Sequence, residues 1–167
     1  MKSRPFWLKV LGLLAVLAAT SNFAASAATV VALGASNTYG KGVARNQAFP
    51  AQLEAILRAK GLNVRVINAG INGDTTEGML RRLDRAVPNG TSVVILQPGG
   101  NDARKGSPDR TAEIQSRLRA RGIAVIMLPN NVNKGLPHQP DGQHLTPEGY
   151  HMIAEYLASQ VAGAIGR

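Results

Sequence analysis

Short apolar runs alternate along this chain with longer segments whose apolar residues recur at helical spacing. Strands buried on both faces have uniformly apolar sequences of this kind, whereas amphipathic helices place apolar residues three or four positions apart. The alternation therefore predicts an α/β fold of three layers, in which helices cover both faces of a flavodoxin-like, mostly parallel sheet of four to five strands. The predicted strands are residues 29–33, 64–67, 92–96 and 123–128.

The predicted helices carry start or stop signals in the sequence. Asp74 and Glu77 have the spacing of a capping box, and Pro108 suits the first position of a helix. Gly61 and Gly163 are typical of helix ends. These signals and the apolar spacing predict four helices, at residues 49–60, 74–85, 107–121 and 146–162.

Composition narrows the class of protein. With 167 residues the chain is long enough for one domain with a substantial core. The absence of cysteine excludes a disulfide framework, a thiolate nucleophile and a cysteine-based zinc site. The formal charge is +9, but the basic residues are scattered and only 4% of residues are aromatic. A solvated basic surface is therefore favoured over a nucleic-acid site, for which stacking side chains are scarce.

The first 27 residues have the pattern of a secretory signal peptide. A positively charged start is followed by an apolar run at residues 10–19, and Ala25 and Ala27 form a small-residue cleavage site. The apolar run is shorter than the roughly 20 residues that span a bilayer, so an uncleaved anchor is the less favoured alternative. We expect a signal peptide at 1–27, a single domain at 28–167, and an exported protein that is periplasmic or secreted.

A polar segment, rich in glycine in most cases, follows each predicted strand, directly after the first three strands and beyond a long loop after the fourth. In open parallel sheets, binding sites form beyond the carboxyl ends of the strands, where such segments meet. Four segments are therefore expected to converge at one edge of the sheet, namely residues 34–40, 68–74, 98–102 and 141–144.

These segments contain the parts of a nucleophilic hydrolase. Ser36 lies on a turn just after a strand, and a serine hydroxyl needs an adjacent base to attack a carbonyl. His144 is the best candidate for that base. Asp141, three residues earlier, is positioned to orient the imidazole. The Asn101 amide and the backbone N–H groups of Gly73 and Ser36 are candidate oxyanion donors. Each residue alone is also compatible with an ordinary turn, and only the joint pattern favours catalysis.

Together the four segments resemble the SGNH hydrolase superfamily of GDSL-like lipases and esterases, in particular its bacterial thioesterase I/lysophospholipase-type branch. The matching sequences are GAS with Gly40, NAGINGDT, GGND and DGQH. The resemblance implies Ser36 as nucleophile and Asp141 and His144 as its triad partners. It also implies an oxyanion hole from Ser36, Gly73 and Asn101, with no metal or organic cofactor.

The chain departs from that family in two places. Ala35 stands where the family usually has aspartate before the nucleophile. The connection from the fourth predicted strand to Asp141 comprises only residues 129–140, where many relatives have a further helix and strand. A sheet of four main strands and a more open site are expected.

The predicted function is hydrolysis of a small acyl ester or thioester outside the cytoplasm, with lysophospholipids among the candidate substrates. The alternatives are a carbohydrate O-deacetylase and a weakly active or non-catalytic binding module on the same fold. A metal site formed by His138, Asp141 and His144 is set aside, because no further ligands occur at a recognisable spacing. Arg104 and Lys105 are interpreted as a solvated loop in preference to a site for anionic substrates. Peripheral contact with anionic lipid is allowed for, and the oligomeric state is left open.

Overall fold

The computed structural model describes residues 26–166 of the chain. Most of the predicted signal peptide falls on residues 1–25, outside the described residues, and it stays a prediction. Between residues 26 and 166, none of the helices combines the length and apolar character that crossing a membrane requires.

The sheet has four parallel strands, as the sequence predicts. Their order across the sheet is β2-β1-β3-β4. Ala32 in the central strand pairs with Asn68 on one side and Ile95 on the other, so the three strands end at the same edge. The strands are β1 (Ala28–Gly34), β2 (Val64–Gly70), β3 (Thr91–Gln97) and β4 (Ala124–Met127).

Helices follow the strands in the predicted alternation, and shorter helical turns lie between them. Short 3₁₀ turns cover Arg45–Gln47 and Asn130–Asn133. The α-helices of the described residues are α1 (Ser36–Tyr39), α2 (Phe49–Ala59), α3 (Thr76–Arg81), α4 (Leu83–Ala86), α5 (Asn101–Lys105), α6 (Thr111–Ala120) and α7 (Pro147–Ile165).

Two apolar cores lie on opposite faces of the sheet. Alternate residues of β1 point to opposite faces, so Val30 and Ala32 pack with α2 and α7, while Val31 and Leu33 pack with α3, α4 and α6. All four side chains are fully buried. The prediction of a three-layer α/β/α fold is therefore confirmed.

The helix predicted at residues 74–85 begins later and is interrupted. Thr75, not Asp74, caps α3, and its hydroxyl oxygen accepts a hydrogen bond from the Gly78 N–H at 3.1 Å. The Asp74 carboxylate instead pairs with Arg82 Nε at 2.8 Å, and Arg82 lies at the break between α3 and α4. A partly buried ion pair thus involves the residue that the sequence pattern assigns to the cap.

Two other predicted boundaries are also wrong. α6 begins at Thr111 rather than near residue 107, because the Asp109 carboxylate accepts the Thr111 N–H at 2.8 Å in the turn before it. α7 continues through Gly163 to Ile165, since Ile165 still packs against the core shared with α2. Its start is as predicted, with the Thr146 hydroxyl oxygen accepting the Gly149 N–H at 3.2 Å.

Candidate active site

Ser36 is the first residue of α1, immediately after the end of β1. The first N–H groups of a helix have no partner within it, so the Ser36 N–H is available to another acceptor. α1 closes at Gly40, whose φ of +83° lies in the left-handed region that favours glycine. The sharp turn of strand into helix puts the Ser36 side chain at the carboxyl edge of the sheet.

Contacts with the neighbouring strands hold α1 in place. The buried Thr38 hydroxyl donates to Gln97 Oε1 at the end of β3, at 2.9 Å. On the other side, a Cβ added to Gly70 would lie 2.6 Å from the Thr38 carbonyl carbon. Glycine at the end of β2 is therefore required for the helix to pack against it. The short helix that carries Ser36 is fixed between two strand ends.

Asn101 is buried at the start of α5 and its side-chain amide is fixed at both ends. Its Nδ2 donates to the Asp74 carbonyl at 2.7 Å, and its Oδ1 accepts a hydrogen bond from Arg104 at 2.6 Å. A primary amide has two N–H groups, so one remains for a ligand. Its orientation is set by a carbonyl that can only accept and a guanidinium that can only donate.

Gly73 lies in the loop after β2, with φ at +75°. Its carbonyl accepts a hydrogen bond from Lys105 Nζ at 2.6 Å. It is adjacent to Asp74, whose carbonyl binds Asn101, but it lies outside the lining of the cavity that Ser36 shares with Asn101. Lys105 binds the loop of Gly73 with an exposed side chain, and it does not line the cavity.

Asp141 and His144 form a compact turn. Asp141 Oδ1 accepts the N–H groups of Gln143 and His144, each at 2.9 Å, and its Oδ2 lies 2.5 Å from His144 Nδ1. The hydrogen bond from the His144 side chain, followed by those from the two backbone N–H groups, holds the pKa of the Asp141 carboxyl well below 3.8. An ionised carboxylate only accepts, so Nδ1 carries the proton and Nε2 of neutral His144 is free to act as a base.

The segment around His144 is closed by its own hydrogen bonds. The Gln139 N–H donates to the His144 carbonyl at 2.7 Å, and the Thr146 N–H donates to the Pro137 carbonyl at 3.0 Å. The Gln139 side chain donates to the Leu145 carbonyl at 2.7 Å and to the Lys41 carbonyl, just after α1, at 2.8 Å. Gln139 therefore joins the loop of His144 to the helix of Ser36.

Ser36, Asn101 and His144 line one cavity of about 420 Å³ at the carboxyl edge of the sheet. Asp141 lies outside this lining, in contact with the Nδ1 side of His144. Most of the remaining polar lining comes from side-chain amides, and among the lining residues described only Ala35 supplies an apolar side chain. The amide residues are Asn37, Gln97, Asn130, Asn133 and Gln143.

Several of these lining residues were missed by the sequence analysis. Gln143 stands inside the DGQH segment, and Asn130 and Asn133 belong to an asparagine-rich stretch, so composition is the one signal that points to them. Ala35, which replaces the expected aspartate, is 2% exposed and packs into the core beside α3. Residues 26–166 bring together no cluster of three acidic or imidazole side chains that could hold a metal ion.

Comparison with known proteins identifies a matching family and several relatives of this chain. The model of the GDSL-like Lipase/Acylhydrolase family matches residues 32–161. Esterase TesA of Pseudomonas aeruginosa is 32% identical over 110 residues, which are 62% of this chain and 55% of that protein, so the match spans about half of the relative's length. Arylesterase of Vibrio mimicus is 28% identical over 174 residues, covering 79% of this chain and 87% of that protein.

Solved structures share the fold. The psychrotrophic esterase EstA from Pseudoalteromonas sp., inhibited by monoethylphosphonate, matches with a TM-score of 0.68 at 17% identity, covering 83% of this chain and 99% of its own. AlinE4, described as an SGNH-hydrolase family esterase, matches with a TM-score of 0.54 at 28% identity, covering 82% of this chain and 74% of its own.

Proposed function

The chain belongs to the GDSL-like lipase/acylhydrolase family, and we propose that it is an exported serine esterase acting on small acyl esters or thioesters. Ser36 is the proposed nucleophile, His144 its base, and Asp141 the carboxylate that orients the base. The relatives named esterase and arylesterase support ester hydrolysis as the reaction class.

One observation carries this proposal. The cavity contains a serine at a strand end, a fixed amide donor and a buried histidine whose Nδ1 is held by a carboxylate. Ser36 and Asn101 follow neighbouring parallel strands that end at one edge of the sheet, whereas His144 reaches the same cavity from the long loop before α7. Nucleophile, base, orienting acid and oxyanion donor are the parts that acyl transfer requires.

In the acylation step, His144 Nε2 takes the Ser36 proton as Oγ attacks the carbonyl carbon of the ester. The oxyanion that forms accepts hydrogen bonds from the Ser36 N–H and the free N–H of Asn101. Gly73 is the third proposed donor, through its backbone N–H. Asp141 stabilises the imidazolium across the Nδ1 bond. The C–O bond of an ester, or the C–S bond of a thioester, then breaks, and His144 returns its proton to the leaving alcohol or thiol.

Deacylation repeats the sequence with water. His144 takes a proton from water, whose oxygen attacks the acyl-serine carbonyl carbon. The bond to Ser36 Oγ breaks, and the proton returns from His144 to that oxygen. The net reaction consumes one water and one ester or thioester, and it releases one acid and the corresponding alcohol or thiol.

The proposal is tested by covalent labelling of purified residues 28–167 with a fluorescent fluorophosphonate, read by intact mass. One label per chain is expected, with none on Ser36→Ala and strongly slowed labelling of His144→Ala. A folded wild-type protein that takes no label would contradict the esterase proposal and favour a non-catalytic binding module. Circular dichroism of all three proteins provides the folding control.

Carbohydrate O-deacetylation is the second candidate, and the lining of the cavity favours it specifically. Side-chain amides such as Asn130, Asn133 and Gln143 both donate and accept, which suits sugar hydroxyls. The single apolar side chain, Ala35, offers little surface for a long acyl chain. Release of acetate from acetylated sugars, with negligible turnover of esters longer than butyrate, would select this candidate over a long-chain esterase.

Export is supported by the signal-peptide pattern of residues 1–27. Cleavage after Ala27 would leave Ala28, the first residue of β1, as the new amino terminus. Sequencing the amino terminus of protein recovered from the periplasm or medium tests this directly. A full-length chain retained in the cytoplasmic fraction would contradict it.

A further inference from the structure

The cavity of Ser36 and His144 carries positive charge on its lining. Arg104 lines it from α5, and Lys134 lines it from the loop after β4. None of the lining residues, all from the described part of the chain, has a carboxylate side chain. The acid of the proposed mechanism, Asp141, contacts the Nδ1 side of His144 instead. An anionic group that occupies this cavity therefore meets cations and no carboxylate on its lining.

Within residues 26–166, neither cation is neutralised by an acidic partner. Elsewhere, Arg82 and Arg117 form ion pairs with carboxylates at 2.8 and 2.7 Å. Arg104 instead donates to the uncharged Asn101 amide, and within residues 26–166 neither it nor Lys134 forms an ion pair. A guanidinium has five N–H donors, so the contact with Asn101 leaves most of them free. Both charges are directed at solvent and at whatever occupies the cavity.

We infer that the natural substrate is an ester whose alcohol portion carries an anionic group, such as a carboxylate or phosphate. This inference rests on the proposed function. His144 returns its proton to the leaving oxygen, so the alcohol portion departs beside His144. Lys134 and His138 lie on the same loop as His144 and line the cavity with it. The alcohol side of the substrate is therefore the side that the loop cation faces.

The expected size of the effect follows from the exposure of both cations. Arg104 and Lys134 are solvent-exposed, so their attraction for an anion is screened by salt. Clefts of one sign of charge raise the local concentration of oppositely charged ligands by about tenfold or more at low ionic strength. A preference of about tenfold in kcat/KM is expected, expressed mainly in KM, and it shrinks as salt is added.

The test compares two acetate esters of nearly equal size, 4-carboxyphenyl acetate and its neutral analogue 4-carbamoylphenyl acetate. The measured quantity is the ratio of their kcat/KM values, anionic over neutral, in each protein. Differences in intrinsic ester reactivity cancel when a variant's ratio is compared with the wild-type ratio. Lys134→Met and Arg104→Met should each lower the ratio about threefold, and the double variant should lower it further. Arg104→Lys, which keeps the charge, should retain it.

Lys60→Met is the matched control. Lys60 is exposed at the carboxyl end of α2, outside the cavity lining, and its removal changes the net charge by the same amount. Its ratio should equal that of the wild type. If all variants share the wild-type ratio, or if Lys60→Met lowers it equally, the inference is overturned. A preference seen only when the charge is on the acyl portion, as in phenyl hemisuccinate against phenyl succinamate, also overturns it.

Failure of the proposed function is a distinguishable result, because then neither acetate ester is hydrolysed. In that case calorimetric titration with 4-hydroxybenzoate and 4-hydroxybenzamide, which needs no turnover, decides the inference. Tighter binding of the anion by the wild type than by the Lys134→Met/Arg104→Met variant supports it. Equal binding of the two compounds by the wild type overturns it.

Discussion

The two sides of the cavity are held in place by different means. Ser36 and Asn101 each begin a short helix that follows a strand of the sheet, so the pairing of β1 and β3 positions both. His144 lies in a long irregular segment, where Gln139 and the bridge between His138 and Leu145 supply the constraints. We call the part of the cavity that contains Ser36 and Asn101 the strand side, and the part that contains His144 the loop side.

This contrast indicates where a substitution that lies away from the reacting groups can still affect turnover. On the strand side, the sheet determines where the helices of Ser36 and Asn101 begin, and hydrogen bonds such as the one from Arg104 then orient the Asn101 amide. On the loop side, the position of the imidazole depends on individual hydrogen bonds made by residues that do not touch the substrate. Loss of one such bond on the loop side should therefore lower turnover, whereas loss of a helix cap on the strand side, which contacts no reacting group, should lower stability alone.

The largest effect tests whether the two sides act as one unit. Ser36→Ala on the strand side and His144→Ala on the loop side should each lower kcat by about 10⁴-fold or more, and the double variant should be no worse than either. The measurement is kcat for 4-nitrophenyl acetate. Multiplicative losses in the double variant would mean that the two residues act independently, which contradicts a shared nucleophile and base.

A smaller loss is expected for the oxyanion donor on the strand side. Asn101→Ala removes the free N–H and should lower kcat by about 10²- to 10³-fold with little change in KM. Steady-state kinetics on the same ester separates the two constants. A rise in KM with kcat unchanged would instead identify Asn101 as a ground-state binding residue.

Gln139→Ala probes the loop side without touching a reacting group. It removes the bonds to the Lys41 and Leu145 carbonyls, and kcat should fall about tenfold because the imidazole loses its alignment. Gln160→Ala is the matched control, since Gln160 is exposed on α7 and bonds only within that helix among the described contacts. If both variants keep full kcat, the loop does not depend on Gln139.

The N-cap residues Thr75 of α3 and Thr146 of α7 allow a direct comparison of the strand side with the loop side. Thr146→Ala and Thr75→Ala each remove an N-cap hydroxyl and should each lower the free energy of unfolding by about 1 kcal/mol. Only Thr146→Ala should also lower kcat, by a few-fold, because it removes the hydroxyl that donates to the Pro137 carbonyl of the loop at 3.4 Å. Urea unfolding and kinetics on both variants decide this, and equal kcat values would remove the distinction between the sides.

The weakest effect concerns the stability that Asp141 contributes. Its pKa is lowered in the folded chain, so its hydrogen bonds stabilise the fold above the unfolded value of 3.8 and lose that contribution as the pH falls below it. The difference in unfolding free energy between wild type and Asp141→Asn should be constant near neutrality and shrink below about pH 4. Urea titrations at several pH values measure it. A difference that widens in acid would contradict the assignment.

Much of the strand side was predictable from the sequence. Continuous apolar runs identify the strands, and the polar residues that follow them necessarily share one edge of a parallel sheet. The short helices α1 and α5 contain too few residues to show a period. The cap at Thr75 could not be chosen over Asp74, because the choice depends on Arg82 eight residues later.

Less of the loop side was predictable. The spacing of Asp141 and His144 indicates their contact, since both ends of the bond lie within one turn. The contact of Gln139 with Lys41 spans 98 positions in the chain, and no local pattern signals it. The positions of Lys134 and Asn133 on the cavity depend on how the whole segment folds back, which composition does not specify.

The bonds between Asp141 and His144 stay within four consecutive residues, and this has an evolutionary consequence. Insertions or deletions before Pro137 shift Asp141 and His144 together and leave the geometry of their contact intact. One residue added between Asp141 and His144 would separate acid from base, and one added between His144 and Thr146 would shift α7 relative to the base. The family's variation in length should therefore accumulate upstream of Pro137, while the segment after it keeps a fixed length.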